Sequence, residues 1–208
     1  MKKIHYYLYV TIIFVLFSSF IVKANTTIEQ QFRDAESLIE IDQTKKALQL
    51  LKTIEPETNE QLAEQSYLLG RLYFSLGKFS KSDDFYMNAN IQNPMEPKYY
   101  VGLSQTSFAL GKLKLAERYA QSALHENPDL IDAELMLALI LSRLGDNEMA
   151  KKRFLNLIDL QPSSEPLHLA YAKFLEKSNL RKNGIDILED FIVKYPNSPD
   201  VLDFLGRL

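Results

Sequence analysis

No cysteine and no tryptophan occur among the 208 residues, and histidine occurs three times. Without a thiol the chain forms no disulfide and carries no thiol-linked lipid anchor, which excludes the bacterial lipoproteins. His5, His125 and His168 share no metal-ligand spacing, and no cysteine completes a set. His168 reads as a packing residue between helices. Glycine is scarce at seven residues, and these are dispersed, so no phosphate-cradling loop is present. A basic cluster is missing too: 24 Lys and Arg stand against 27 Asp and Glu, a formal net charge of −3. Nucleic-acid binding calls for a clustered basic face, so DNA and RNA are not expected partners. Ser104 and Ser142 have no base nearby in sequence, and the acid pairs Asp83-Asp84 and Glu189-Asp190 read as solvated surface. Neither an enzyme activity nor a metal or cofactor is expected.

One long apolar run is present, at the start. The chain opens Met1-Lys2-Lys3-Ile4-His5, stays mainly apolar from Tyr6 to Val22, and continues Lys23-Ala24-Asn25. A basic start, an apolar middle and small residues before a polar stretch form a secretory signal helix, with Val22 and Ala24 in the two small-residue sites. Residues 6–22, with Thr11, Ser18 and Ser19, fall short of the roughly 20 strongly apolar residues of a spanning helix. Two readings stand: a signal peptide over 1–24, or an uncleaved inner-membrane anchor over 6–22. Either exports the remainder, and the periplasm is the expected location. Cleavage would take Lys2, Lys3 and Lys23 and no acid, leaving 21 basic and 27 acidic residues.

Beyond that segment the pattern is periodic. Pro94, Pro128, Pro162 and Pro196 are spaced 34 residues apart, and Gly77, Gly111, Gly145 and Asn179 precede them at one fixed distance. The period is that of a helix–turn–helix repeat. Four full repeats span 63–198, beginning at residues 63, 97, 131 and 165. The first helix of each carries a large residue and then a small one: Leu69-Gly70, Leu103-Ser104, Leu137-Ala138 and Tyr171-Ala172. The second helix opens with Ser82, Ala116, Ala150 and Gly184, small residues that permit close approach. Glycine, and less freely asparagine, tolerates the positive φ that the intervening turn demands. Proline then ends each unit, lacking the amide that a continuing helix would use.

This pattern resembles the tetratricopeptide repeat from residue 63 to the end. The family's frequent first-helix tryptophan is replaced by Ser66, Tyr100, Glu134, His168 and Leu202, a change in packing preference only. Residues 25–62 read as a degenerate repeat, with Phe32, Ala35 and Leu38 on one helix and Ala47, Leu51 and Ile54 on the next. Its turn, Asp42-Gln43-Thr44, has no glycine. At the far end, Leu205-Gly206-Arg207-Leu208 repeats Leu69-Gly70-Arg71-Leu72 four periods on. Residues 199–208 are therefore a partial repeat or a closing helix. The resemblance implies an all-α, right-handed superhelical solenoid of antiparallel helix pairs.

It also implies that ligands lie against the inner side of each first helix. The period places Tyr67, Arg71 and Phe74 there in the first full repeat, and Val101, Gln105 and Phe108 in the second. The third contributes Leu135, Leu139 and Ser142, the fourth Leu169, Lys173 and Glu176, and the partial one Asp203 and Arg207. An apolar strip of this extent marks a partner site, suited to an amphipathic helix or an extended peptide. The carboxylate clamp of heat-shock cochaperones is absent, since its positions carry Tyr67, Arg71, Val101 and Gln105. The expected function is a non-catalytic protein-interaction scaffold in the bacterial envelope, for assembly, secretion or pilus-type complexes. The alternative is the repeat part of a larger outer-membrane export protein.

Overall fold

The computed structural model describes residues 27–207, which form eleven α-helices and no strand. The apolar opening segment, with its signal and anchor readings, lies outside the described residues. Among the described residues no helix is long and apolar enough to cross a membrane. The helices fall into two compact units, divided between Pro94 and Met95. In the first are α1 (27–40), α2 (Thr44–Thr53), α3 (Asn59–Ser75) and α4 (Phe79–Gln92). The second holds α5 (Pro97–Ala109), α6 (Leu113–Glu126), α7 (Ile131–Leu144), α8 (Asn147–Leu160), α9 (Glu165–Lys177), α10 (Arg181–Lys194) and α11 (Pro199–Arg207).

The turns take the backbone shape that their residues suggest. Gly77, Gly111, Gly145 and Asn179 have φ of 68°, 74°, 87° and 60°. The next amide in each case reaches back to a carbonyl five residues earlier, as Lys78 does to Tyr73 at 2.9 Å and Leu180 to Leu175 at 2.8 Å. That bond closes the helix end and satisfies a carbonyl that would otherwise lack a partner. The glycine-free first turn uses the same device: Asp42 has φ of 56°, and Gln43 donates to Leu38 at 2.8 Å. Aspartate is among the few residues with a side chain that enter this region without great cost.

Close approach within each hairpin rests on the paired small residues. The Ser82 hydroxyl donates to the Gly70 carbonyl and that of Ser104 to the Ala116 carbonyl, each at 2.8 Å. A Cβ at Gly184 would stand 3.2 Å from the Ala172 carbonyl oxygen, and one at Gly70 would stand 2.7 Å from the Tyr86 ring. Larger side chains seal the layers around these crossings. In the first unit Phe32, Ala35, Ala47, Leu51, Leu68 and Leu72 form one buried cluster. In the second, Phe154, Tyr171 and Phe174 pack ring against ring with centroids 5.3–6.0 Å apart. Each leucine or phenylalanine among them, fully buried, stabilises the fold by about 1.5–3 kcal/mol before entropy is counted. Pro97 and Pro199 stand at the first position of α5 and α11, where a missing amide costs little.

Candidate functional site: an inner groove of the second unit

The step from Asp42 to Gly77 is 35 residues and every later step is 34, which aligns one inner position on the first helix of each repeat. That position carries Glu36, Arg71, Gln105, Leu139, Lys173 and Arg207. Within the first unit its two members neutralise one another, since Arg71 on α3 forms an ion pair with Glu36 on α1. The Arg71 guanidinium also lies 5.9 Å from the centroid of the Tyr67 ring. Tyr67 in turn tilts against Tyr86 at 5.8 Å, and Phe74 against Phe79 at 5.3 Å. The three inner residues expected here are thus half-buried and engaged with their own unit.

The second unit is arranged differently. Phe108, Leu139, Leu169 and Lys173, four of the residues expected on the inner side, line one groove of about 630 Å³. Ser142 lines it as well. Its apolar floor is completed by Phe174, buried at 4 % exposure, and its wall includes the turn residue Gly145. Such a volume suits a drug-sized ligand or a few side chains of a peptide.

Three cations border this floor: Arg143, Lys173 and Lys177, against one carboxylate, Asp200. The Arg143 guanidinium lies over the Phe108 ring at 5.3 Å, and the Lys173 ammonium over the Phe204 ring at 5.5 Å. Lys173 finds no acid at its register position, because its counterparts on α7 and α11 are Leu139 and Arg207. Arg207 instead pairs with Asp203 on its own helix at 3.0 Å. Arg143 and Lys177 were outside the sequence expectation, which stopped at Ser142 and Glu176. Their signal was nonetheless available: two cations one full period apart, next to positions already assigned to the inner side.

Other expected positions fall elsewhere. Val101 is 7 % exposed and packs with Ala123 and Ala133, so it belongs to the interior and not to an open surface. The small residues it meets, Ala123 on α6 and Ala133 on α7, let those helices close over it. Gln105 and Leu135 are half-buried, and Leu135 packs onto the cluster containing Ala138 and Phe154. Neither borders the groove. Glu176 is exposed and also lies outside it.

His168 is buried at 7 % exposure, with its ring 4.3 Å from that of Phe191. Its Nδ1 is 2.9 Å from the Ser164 carbonyl oxygen, which can only accept, so Nδ1 carries the proton. The histidine is a packing residue. No cluster among the described residues could hold a metal ion. Two phenols are perturbed. Burial pushes the Tyr86 hydroxyl well above the ordinary tyrosine range, with the nearby Tyr67 adding to it. Burial also raises Tyr171.

Stacked α-hairpins with a small-residue crossing and a left-handed turn are the architecture of tetratricopeptide-repeat solenoids. Models of the tetratricopeptide repeat match residues 66–90 and 132–164, one in each unit. The chain is 30 % identical over 158 residues to the TPR repeat-containing protein YpiA of Bacillus subtilis (strain 168). That match covers 75 % of this chain and spans 37 % of the length of the curated relative. Among solved structures it resembles TTC0263, a thermophilic TPR protein of Thermus thermophilus, with a TM-score of 0.77 at 18 % identity. There 86 % of this chain and 97 % of the other are covered. YrrB, described as a TPR protein with an unusual peptide-binding site, aligns over 86 % of this chain and 91 % of its own. Its TM-score is 0.54 and its identity 17 %. These structural likenesses are likenesses of fold.

Proposed function

We propose that this chain is a non-catalytic scaffold that holds a helical or extended segment of a partner protein in the groove of its second unit. The observation carrying the reading is the convergence of Phe108, Leu139, Leu169 and Lys173, from α5, α7 and α9, on one apolar groove. Peptide recognition by YrrB, a protein of like fold, supports it. The reading extends to place: the basic, apolar and small-residue order of residues 1–24 supports export, and with it a role in assembling or holding envelope or secretion complexes.

The test is site-specific photocrosslinking in living cells. A crosslinker at Leu169 should give discrete adducts with a partner, whereas one at Val193, 83 % exposed on α10, should give none. Adducts from Val193 and none from Leu169 would overturn the groove reading. Export is tested separately by fusing alkaline phosphatase after residue 30, where activity requires passage out of the cytoplasm.

A further inference from the structure

Resting on the groove reading above, we infer that the partner segment is acidic: one or two large apolar side chains flanked by aspartate or glutamate. The floor of Phe108, Leu139, Leu169 and Phe174 calls for an apolar anchor, but its border decides what flanks that anchor. Three cations against one carboxylate give the lining a positive balance, in a chain whose overall charge is −3. A local sign opposed to the global one is the pattern of electrostatic complementarity between partners.

The cations are also available. Among the described residues no carboxylate forms an ion pair with Arg143, Lys173 or Lys177, in contrast to Arg71, which Glu36 occupies. Arg143 and Lys173 rest on ring faces, contacts that leave N–H groups able to donate to an incoming carboxylate. A neutral segment seated on the floor would remove water from these cations and return no partner, a desolvation cost that an acidic segment offsets. A basic segment would meet three like charges. The cations are spread over α7 and α9, with Lys173 and Lys177 one turn apart on the same helix, so they flank the anchor instead of meeting at one point.

The experiment titrates the full chain with three short fluorescent peptides sharing a Phe-Leu centre, flanked by glutamates, by glutamines or by lysines. The glutamate peptide is expected to bind about tenfold more tightly than the glutamine one, the scale of a few partly exposed ion pairs acting together. That preference should shrink on raising salt from about 50 to about 300 mM. Most of it should be lost in the Lys173→Gln, Lys177→Gln double variant with helicity unchanged, Arg143 retaining the remainder. Equal affinity for the glutamate and glutamine peptides, both lost in Leu169→Ser, overturns the acidic preference and leaves the groove reading standing. Binding of none, or binding untouched by Leu169→Ser, overturns both.

Discussion

The two units present the same repeat register and opposite degrees of availability. In the first, Arg71 is taken by Glu36, Phe74 leans on Phe79, and the Tyr86 ring fills the space over Gly70. In the second, Lys173 at the register position of Arg71 meets no acid, and Phe108 borders open volume. Register therefore determines which side chains turn inward, and the facing helix determines whether anything is left for a partner. The difference comes down to single residues: glutamate at 36, leucine at 139.

The contrast can be pressed hardest with alkali. Tyr86 and Tyr171 hold their protons to higher pH when folded than the ordinary value near 10, because burial penalises phenolate. Their stabilisation is complete below about pH 10 and is lost as pH rises above it, where the unfolded chain releases protons that the folded chain retains. For Tyr86 the loss approaches about 1.4 kcal/mol per pH unit while the folded phenol keeps its proton; Tyr171 contributes in the same direction. Urea unfolding at rising pH should show this, with Tyr86→Phe in the first unit removing more of the slope than Tyr171→Phe in the second. The reverse ranking would contradict the stronger effect of burial on Tyr86.

Next in size is Gly70→Ala. Its Cβ would stand 2.7 Å from a ring that is 1 % exposed, and forcing it there costs about 1–3 kcal/mol. Gly111→Val probes the second unit's turn, where φ is 74° and no atom crowds the Cβ. A loss above about 1 kcal/mol is expected from backbone conformation alone. An unshifted melting temperature for either variant would count against these assignments. Glu36→Gln breaks a half-exposed pair and should cost less than about 1 kcal/mol. It should leave affinity for acidic peptide unaltered, whereas Lys173→Gln, of similar cost, lowers it. The smallest effect belongs to Gly206→Ala, since a Cβ there meets nothing within 4 Å, despite the Leu-Gly-Arg context it shares with Gly70. Thermal melting should place it within about 0.5 kcal/mol of the parent.

Much of this architecture could be read from residue types. The left-handed turns follow from glycine and asparagine at a fixed place, and the hairpin crossings from small residues paired between helices. Asp42 was harder, because its role depends on φ and not on being glycine. The groove was only half visible. Periodicity marks a face, but it cannot tell that Val101 sinks between α6 and α7 while Leu169, two periods on, stays half-exposed. Nor does it show that Arg71 is already paired, since Glu36 lines up with it only after a first step of 35 residues. Arg143 and Lys177 were missed because the inner face is wider than the three positions per helix that the period suggested.

Gly145 belongs at once to the wall of the groove and to the reversal between α7 and α8. Its amide and that of Asp146 close the end of α7 on Ser142, another lining residue, and on Leu141. A guest in the groove would lean on the hinge pin of the hairpin. Deuterium uptake at those two amides should then slow on occupancy, giving a built-in gauge of loading that needs no label on either molecule.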